Sequence, residues 1–181
     1  NNSKIAILTT QNIPFICCIL GIIRSNNIFV LINPTLTISQ INKIIYKTNC
    51  KAIIVDNEFK NISVYSNTIL MNYDDLIMSE IENCTENIQP NLQKNSGIIF
   101  SSGTTSFPKG IVRTHYSILS ETILWILELQ IRRKTSFLIS RPLYYTGGFV
   151  LMNAILFCGA KMICFNKPDL HEILKYSENI N

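Results

Sequence analysis

The stretch SGIIFSSGTTSFPKG, residues 96–110, joins a short apolar run to a loop of small, polar and bendable residues. Residues 96–100 contain two isoleucines and a phenylalanine in a short, mostly apolar run, which predicts a buried strand. Residues 101–110 contain two glycines, five hydroxyl side chains, one proline and one lysine. Open α/β sheets bind ligands where their strands end, so this junction predicts a binding loop at a sheet edge.

The loop has the chemistry of a polyphosphate site. Gly103 lets the backbone approach a ligand closely, and successive backbone N–H groups in such a turn form an anion-binding nest. Lys109 adds a full positive charge, and Pro108 restricts the backbone just before it. The hydroxyl groups that can rotate onto phosphate oxygens are those of Ser101, Ser102, Thr104, Thr105 and Ser106.

The loop has two other interpretations, a P-loop and a turn without a ligand. A P-loop NTPase requires G-x-x-x-x-G-K-[ST]. Counted from Gly103, Pro108 stands at the second glycine, and Gly110 stands where a Ser or Thr would hold magnesium. The spacing therefore disfavours a P-loop. The other alternative is a solvated Ser/Thr-rich turn without a ligand. Such turns rarely combine a preceding strand, this density of hydroxyl groups and a P-K-G ending, so this alternative is less favoured.

The pattern along the chain predicts an α/β fold of parallel-sheet layers with helical crossovers. In the first part, strands are predicted at 4–8, 28–32 and 51–55, separated by helices over 12–25 and from Thr37 onward. Thr37 and Gln40 form a predicted capping box, and the first helix is apolar nearly all round, which predicts burial on several sides.

The second part of the chain continues the alternation. The predicted elements are a strand at 96–100, a return strand at 110–113, a helix over 115–131, a strand at 136–140, a loop over 141–148, a helix over 149–158, a strand at 160–165 and the start of a helix over 169–177. Between them the pattern weakens over 57–95, which predicts a subdomain junction. That segment still holds an apolar run at 69–72 and an acidic helix candidate over 74–83.

Composition narrows the possible functions. The chain has 181 residues, of which 47% are hydrophobic and 15% charged, which excludes a disordered chain. Its net charge of +4 is scattered, apart from a basic triplet at 132–134 beside a predicted helix end, so no nucleic-acid partner is expected. The apolar runs at 13–23 and 149–160 fall short of the ~20 residues that span a bilayer, so no membrane span is expected.

The cysteines indicate a reducing compartment. The six cysteines form no C-x-x-C pair, which disfavours a zinc site, and most lie in apolar runs where cysteine behaves as a buried hydrophobe. We therefore expect no metal site within the chain and a cytoplasmic location. The oligomeric state is not readable from the sequence.

Residues 98–115, IIFSSGTTSFPKGIVRTH, resemble the phosphate-loop signature of the adenylate-forming (AMP-binding) superfamily. This superfamily includes acyl-CoA synthetases, 4-coumarate–CoA ligases, firefly luciferase and the adenylation domains of peptide synthetases. Three further segments resemble the family in order and spacing: KIAILTTQNIPFICCILGIIRSNN at 4–27, IFVLINPTLTISQINKII at 28–45, and RPLYYTGGFVLMNAILFCGAKMICF at 141–165.

The resemblance implies ATP-dependent activation of a small-molecule carboxylic acid, with Mg²⁺ as cofactor. The acid would form an acyl-adenylate and then a thioester with coenzyme A. Lys109 would be catalytic and, together with residues 101–106, would bind ATP. Tyr145, Gly147 and Gly148 would contact the acid. Two positions depart from the family, which usually has glycine at Ser106 and often histidine at Tyr145.

The resemblance also implies that residues 1–181 form part of an AMP-binding N-terminal domain. The magnesium ligands, the ribose-binding aspartate and the small C-terminal domain would all lie downstream, so the chain alone is expected to turn over little substrate. A truncated, non-catalytic nucleotide-binding remnant is the alternative. Which acid is used, and whether its acceptor is coenzyme A or a carrier protein, are not readable from these residues.

Overall fold

The computed structural model describes residues 2–10, 12–64, 67–78, 91–101, 108–165, 169, 171 and 173–175. Five of the candidate loop residues lie outside this range: Ser102, Gly103, Thr104, Thr105 and Ser106. Cys84 also lies outside it. Within the described residues, no helix is both long and apolar enough to cross a membrane.

Eight strands and five helices alternate along the described chain. In order they are β1 (Lys4–Leu8), α1 (Asn12–Arg24), β2 (Ile28–Leu31), α2 (Ile38–Thr48), β3 (Ala52–Val55), β4 (Ile69–Asn72), α3 (Tyr73–Met78), β5 (Asn95–Ser101), β6 (Lys109–Thr114), α4 (His115–Glu128), β7 (Ser136–Ile139), α5 (Thr146–Cys158) and β8 (Lys161–Cys164).

The strands form one six-stranded sheet, in the order β4-β3-β1-β2-β5-β6, and one two-stranded sheet of β7 and β8. All pairs are parallel except β5 with β6. Helices connect β1 to β2, β2 to β3 and β7 to β8, as parallel neighbours require. The predicted α/β class, with parallel layers and helical crossovers, is confirmed.

Apolar side chains bury both faces of the larger sheet. One cluster contains Ile7, Phe29 and Ile99 of the strands and joins α1, α4 and α5 to the smaller sheet. The other contains Ala6, Val30 and Ile53 and packs beneath α2. Successive residues of β1, β2 and β3 therefore alternate between two buried faces, which explains why these strands are apolar runs without polar alternation.

The ends of α2 are those predicted from the sequence. The Thr37 hydroxyl accepts from the backbone N–H of Gln40, and the Gln40 side chain accepts from the backbone N–H of Thr37. The helix ends at Thr48, and its C-cap, Asn49, takes the left-handed conformation with φ 53°. Asn tolerates this conformation better than most residues, so α2 is closed at both ends by its own sequence.

Helix α4 ends at Glu128, before the predicted end at residue 131. Helices α1 and α5 also differ from the prediction. Helix α1 buries only one side, because Ile13 is 71% exposed and Leu20 52% exposed; an apolar sequence alone does not reveal which residues face solvent. Helix α5 begins at Thr146, three residues before the predicted start at Phe149 (149 − 146). Gly147 and Gly148 lie in its first turn, within the segment 141–148 for which the sequence predicts a loop.

A glycine allows β5 to pack beside Phe29. Gly97 pairs with Phe29 across the β2–β5 ladder, and a Cβ built on Gly97 would lie 2.0 Å from the Phe29 ring. Phe29 is fully buried and contacts Phe149, with ring centroids 5.3 Å apart. The ring therefore has little room to move away from an added side chain.

We predict that Gly97→Ala lowers the free energy of unfolding by about 1–3 kcal/mol, because overpacking a close-packed core costs this much. Urea denaturation followed by circular dichroism measures the change. Gly21→Ala is the matched control: its Cβ meets nothing within 4 Å, so alanine in α1 should stabilise by about 0.5–1 kcal/mol.

The clash with the ring is tested by a double-mutant cycle. Gly97→Ala should cost less in a Phe29→Leu background, since the smaller side chain leaves space for the new methyl group. An equal cost in both backgrounds would show that the Phe29 ring is not the cause.

Candidate functional site

The parallel strands of the larger sheet end at one edge, and candidate residues follow several of them. Ile7 is paired with Leu31, and Val30 with Ile98, so β1, β2 and β5 run in the same direction side by side. Thr9 and Thr10 follow the carboxyl end of β1, the turn that begins at Asn33 follows that of β2, and Ser101 is the last residue of β5. This edge is where a doubly wound sheet binds ligands.

The β5–β6 hairpin holds the two ends of the candidate phosphate loop. Ser101 and Lys109 are directly opposite each other in the antiparallel ladder, and the Ser101 hydroxyl lies 3.5 Å from the Lys109 carbonyl oxygen. The return strand predicted at 110–113 is confirmed as β6. The loop therefore leaves and re-enters the sheet at adjacent positions, although the hydroxyl residues between them lie outside the described range.

Lys109 is exposed and lies beside an open groove. Its lining includes the apolar side chains of Ile98, Phe100 and Val112 and two further cations, Lys4 and Lys47. Lys109 therefore lines a concave surface that carries three positive charges. Such a surface favours an anion.

The segment before α5 is fixed to the turn after β2. The Tyr145 hydroxyl accepts a hydrogen bond of 3.1 Å from the side-chain amide of Asn33. Tyr144 packs on Tyr145, with ring centroids 4.7 Å apart. Burial raises the pKa of the Tyr144 hydroxyl, and the nearby Tyr145 raises it further. The structure thus places Tyr145 beside the turn after β2, at the carboxyl edge of the larger sheet.

Gly148 and Gly147 permit a close approach at the start of α5. A Cβ on Gly148 would lie 2.3 Å from the Pro142 carbonyl oxygen, a backbone atom that cannot turn aside. A Cβ on Gly147 would lie 3.3 Å from an Nη atom of Arg141. Gly148 is buried and Gly147 half-buried, so the first has a packing role and the second leaves space beneath a guanidinium group.

A buried carboxylate that the sequence analysis did not identify connects the ends of β1 and β3. Asp56 is 3% exposed and accepts hydrogen bonds from the Thr9 hydroxyl at 2.7 Å and from the Thr10 backbone N–H at 2.8 Å. The Glu58 backbone N–H donates to its other oxygen at 3.1 Å. The sequence feature that could have identified Asp56 is its place directly after a buried strand. These bonds give Asp56 a positioning role at the edge.

No metal centre is found among the described residues: no group of three or more His, Cys, Asp or Glu side chains converges there. The five described cysteines are free, with Cys18 and Cys50 buried and Cys17 exposed. Burial raises the pKa of Cys18 to about 12, with Cys17 adding to the shift, so this thiol stays protonated.

His115 has a structural setting. It is the first residue of α4, and its backbone N–H donates to the Lys94 carbonyl oxygen at 3.1 Å. Burial lowers the pKa of its imidazole, and the Lys94 ammonium lowers it further. Nearby, Arg113 of β6 forms an ion pair with Glu121 of α4 and so connects the hairpin to that helix. We therefore assign His115 no chemical role.

Comparison with known proteins identifies one enzyme family. The family described as AMP-binding enzyme matches residues 1–180. A 2-succinylbenzoate–CoA ligase of Bacillus cereus is 25% identical over 174 residues, which cover 95% of this chain and 35% of that protein. The chain thus spans about a third of the length of the curated relatives it matches.

Solved structures show the same fold. The O-succinylbenzoate coenzyme A synthetase of Bacillus subtilis, in complex with AMP, superimposes with a TM-score of 0.90 at 17% identity, covering 98% of this chain and 47% of that one. ATP-bound MatB of Rhodopseudomonas palustris superimposes with a TM-score of 0.89 at 19% identity, covering 98% of this chain and 38% of that one.

We predict that Tyr145→Phe lowers the free energy of unfolding by about 1 kcal/mol, because the Asn33 amide then loses its acceptor. Tyr144→Phe is the matched control, since the Tyr144 hydroxyl forms no hydrogen bond in the described structure and phenylalanine preserves its ring contact. Urea denaturation compares the two. Equal effects of the two substitutions would contradict a role for the Tyr145 hydroxyl.

We also predict that His115 makes stability depend on pH. Between its lowered pKa in the folded protein and the unfolded value of about 6.5, only the unfolded chain binds the proton, so stability should rise with pH across that window. His115→Gln should flatten the rise, measured by urea denaturation from pH 5 to pH 8. His171→Gln, at an exposed position, should preserve it. An unchanged slope in His115→Gln would be inconsistent with this explanation.

Proposed function

Because the chain belongs to the AMP-binding enzyme family, which matches residues 1–180, we propose that it forms part of the large N-terminal domain of an ATP-dependent acid–thiol ligase. In this reaction a carboxylate oxygen attacks the α-phosphorus of ATP. The bond from that phosphorus to the pyrophosphate oxygen breaks, which gives an acyl-adenylate. The coenzyme A thiol then attacks the acyl carbon and releases AMP.

One observation carries this proposal: Ser101 at the carboxyl end of β5 pairs with Lys109 at the start of β6, which brings the first and the last of the proposed phosphate ligands together. We propose that backbone N–H groups, hydroxyls and the Lys109 ammonium between and at these two positions bind the β- and γ-phosphates. The proposed ligands are Ser101, Ser102, Gly103, Thr104, Thr105, Ser106 and Lys109.

Lys109 has the catalytic role in the proposal. Negative charge builds on the pyrophosphate as it leaves, and a fixed ammonium group stabilises that charge more in the transition state than in bound ATP. Its exposed position on a positively charged groove leaves it accessible to a nucleotide. The relatives' names support the reaction class, and one similar structure was solved with ATP and a magnesium ion.

Tyr145, Gly147 and Gly148 are the proposed contacts of the acid. The Asn33 amide orients the Tyr145 hydroxyl, and Gly147 provides space beside the helix start. Tyr145 would act by contact and hydrogen bonding, because its hydroxyl already accepts from the Asn33 amide. The proposed reaction uses Mg²⁺ with ATP. We expect the protein to be cytoplasmic.

We predict that Lys109→Ala slows acid-dependent ATP–pyrophosphate exchange by about 10²-fold or more, the usual cost of removing one group that stabilises developing charge. The assay uses the protein expressed from its complete gene. Lys134→Ala is the control, because Lys134 is also exposed but follows α4, outside the proposed site. Exchange that is unaffected by Lys109→Ala would reject the role of this lysine.

Pyrophosphate exchange by the same protein distinguishes a ligase from the non-catalytic alternative. A ligase exchanges pyrophosphate in the presence of its acid, whereas a nucleotide-binding remnant binds ATP and exchanges none with any acid. A panel of carboxylic acids identifies the substrate, beginning with 2-succinylbenzoate because it occurs in the relatives' names. Adding coenzyme A or a carrier protein to the active acid then identifies the acceptor.

A further inference from the structure

The groove beside Lys109 exposes one face of the β5–β6 hairpin. It has a volume of about 630 Å³, and Ile98, Phe100 and Val112 line it. Ile98 pairs with Val112 across the hairpin and Phe100 pairs with Gly110, so these positions share one face of the sheet. Ile98 and Phe100 belong to the cluster that packs beneath α2, which places the groove on the α2 side. The proposed reaction uses only its Lys109 end.

The α2 side of the sheet is covered only in part. Among the described residues, the apolar cluster on this side takes helical side chains from α2 alone, whereas the cluster on the other side takes them from several helices, including α1, α4 and α5. Val30 is fully buried, but Phe100 is half-buried and Val112 is 54% exposed. Largely parallel sheets bury both faces, so the apolar surface over β5 and β6 indicates a further packing element.

This surface has the position that a second helix would occupy. Helix α2 connects β2 to β3, which lie on either side of β1, so α2 passes over β1. Packed helices lie about 8–10 Å apart, which equals about two strand spacings of about 4.8 Å. The strand two places from β1, on the side of β2, is β5. A helix packed beside α2 would therefore lie on Ile98 and Phe100.

The charges of the groove indicate the chemistry of such a helix. The charged residues that line it are Lys4, Lys47 and Lys109, and no acidic residue lines it in the described part of the chain. An apolar floor flanked by cations fits an amphipathic helix that carries carboxylates beside its apolar face, because opposite charges across an interface set the partner and its orientation.

The two ends of the groove are separate. Lys109 pairs with Ser101, at the carboxyl end of β5. The registers of β1 with β2 and of β2 with β5 place Lys4 near the level of Gly97. The four residues from Gly97 to Ser101 (101 − 97) span about 13 Å at about 3.3 Å per residue. A helix that binds at the Lys4 end can therefore leave Lys109 to the nucleotide.

We propose that this groove is the docking site of an amphipathic helix of the same polypeptide, from outside residues 1–181. Its apolar face would lie on Ile98, Phe100 and Val112, and its carboxylates would face Lys4 and Lys47. The inference rests on the proposed function in one respect: the chain spans about a third of the length of its curated relatives, so the proposed ligase has further segments. A covalently attached helix is favoured over a separate partner because attachment gives it a high effective concentration.

The first test is the accessibility of position 112 in the protein expressed from its complete gene, without ATP or acid. Val112→Cys places a thiol in the groove, and Tyr46→Cys places one on α2 outside it, where the side chain is 79% exposed. We expect N-ethylmaleimide to modify the thiol at position 112 at least about tenfold more slowly, because a covered thiol reacts only during local opening. Peptide mass spectrometry separates both thiols from the native cysteines. Equal rates would overturn the proposal.

The second test identifies what covers the groove. A water-soluble carbodiimide joins a lysine amine to a carboxylate in contact with it. We expect a cross-link from Lys4 to an Asp or Glu outside residues 1–181, within one molecule, which a mixture of unlabelled and isotope-labelled protein verifies. Lys4→Gln should abolish this link, and Lys134→Gln should preserve it. A link to a second copy, a link confined to residues 1–181, or no link from Lys4 would overturn the proposal.

These experiments distinguish the docking helix from the ligase reaction, because neither uses ATP. A protein that exchanges pyrophosphate, but whose thiols at positions 46 and 112 react equally, would retain the ligase reaction and contradict the docking helix. A protein that exchanges none with any acid, but gives the Lys4 link, would contradict the ligase reaction alone.

Discussion

The parallel pairing of β5 with β2 is the constraint on which the candidate site depends. Gly97 makes this pairing possible, because any larger residue would meet the buried ring of Phe29. With β5 parallel to β2, its carboxyl end at Ser101 lies at the edge that also holds Thr9, Thr10 and the turn at Asn33. If β5 had been antiparallel to β2, Ser101 would lie at the opposite edge, away from these groups.

Further interactions fix this edge from both sides. On one side, the Asp56 carboxylate binds the residues that follow β1, which holds the ends of β1 and β3 together. On the other, the Asn33 amide binds Tyr145 and so connects the segment before α5 to the larger sheet. Phe149 packs on Phe29 directly beneath. The segments around this edge are thus held together by hydrogen bonds and a ring contact, as a site that must orient a polyphosphate requires.

The fold was largely predictable from local sequence, whereas the site was predictable only in part. Apolar runs separated by helical patterns predicted the parallel layers, and Thr37 with Gln40 predicted the start of α2 because a capping box is a local interaction. The solvent-facing side of α1 and the early start of α5 depend on long-range packing. The same holds for the contacts of Asp56, whose partner Thr9 comes from a distant segment. The resemblance of residues 98–115 identified the loop, but not the hydrogen bond that orients Tyr145.

The central claim is that the segment between Ser101 and Lys109 binds the tail of a nucleoside triphosphate. Backbone amide NMR tests it most directly, through titration of the protein with ATP, pyrophosphate and AMP. We predict that ATP and pyrophosphate shift the amide signals of residues 101–110, and that AMP shifts them far less, because it lacks the β- and γ-phosphates. Equal shifts with AMP, or shifts confined to other parts of the chain, would contradict the account.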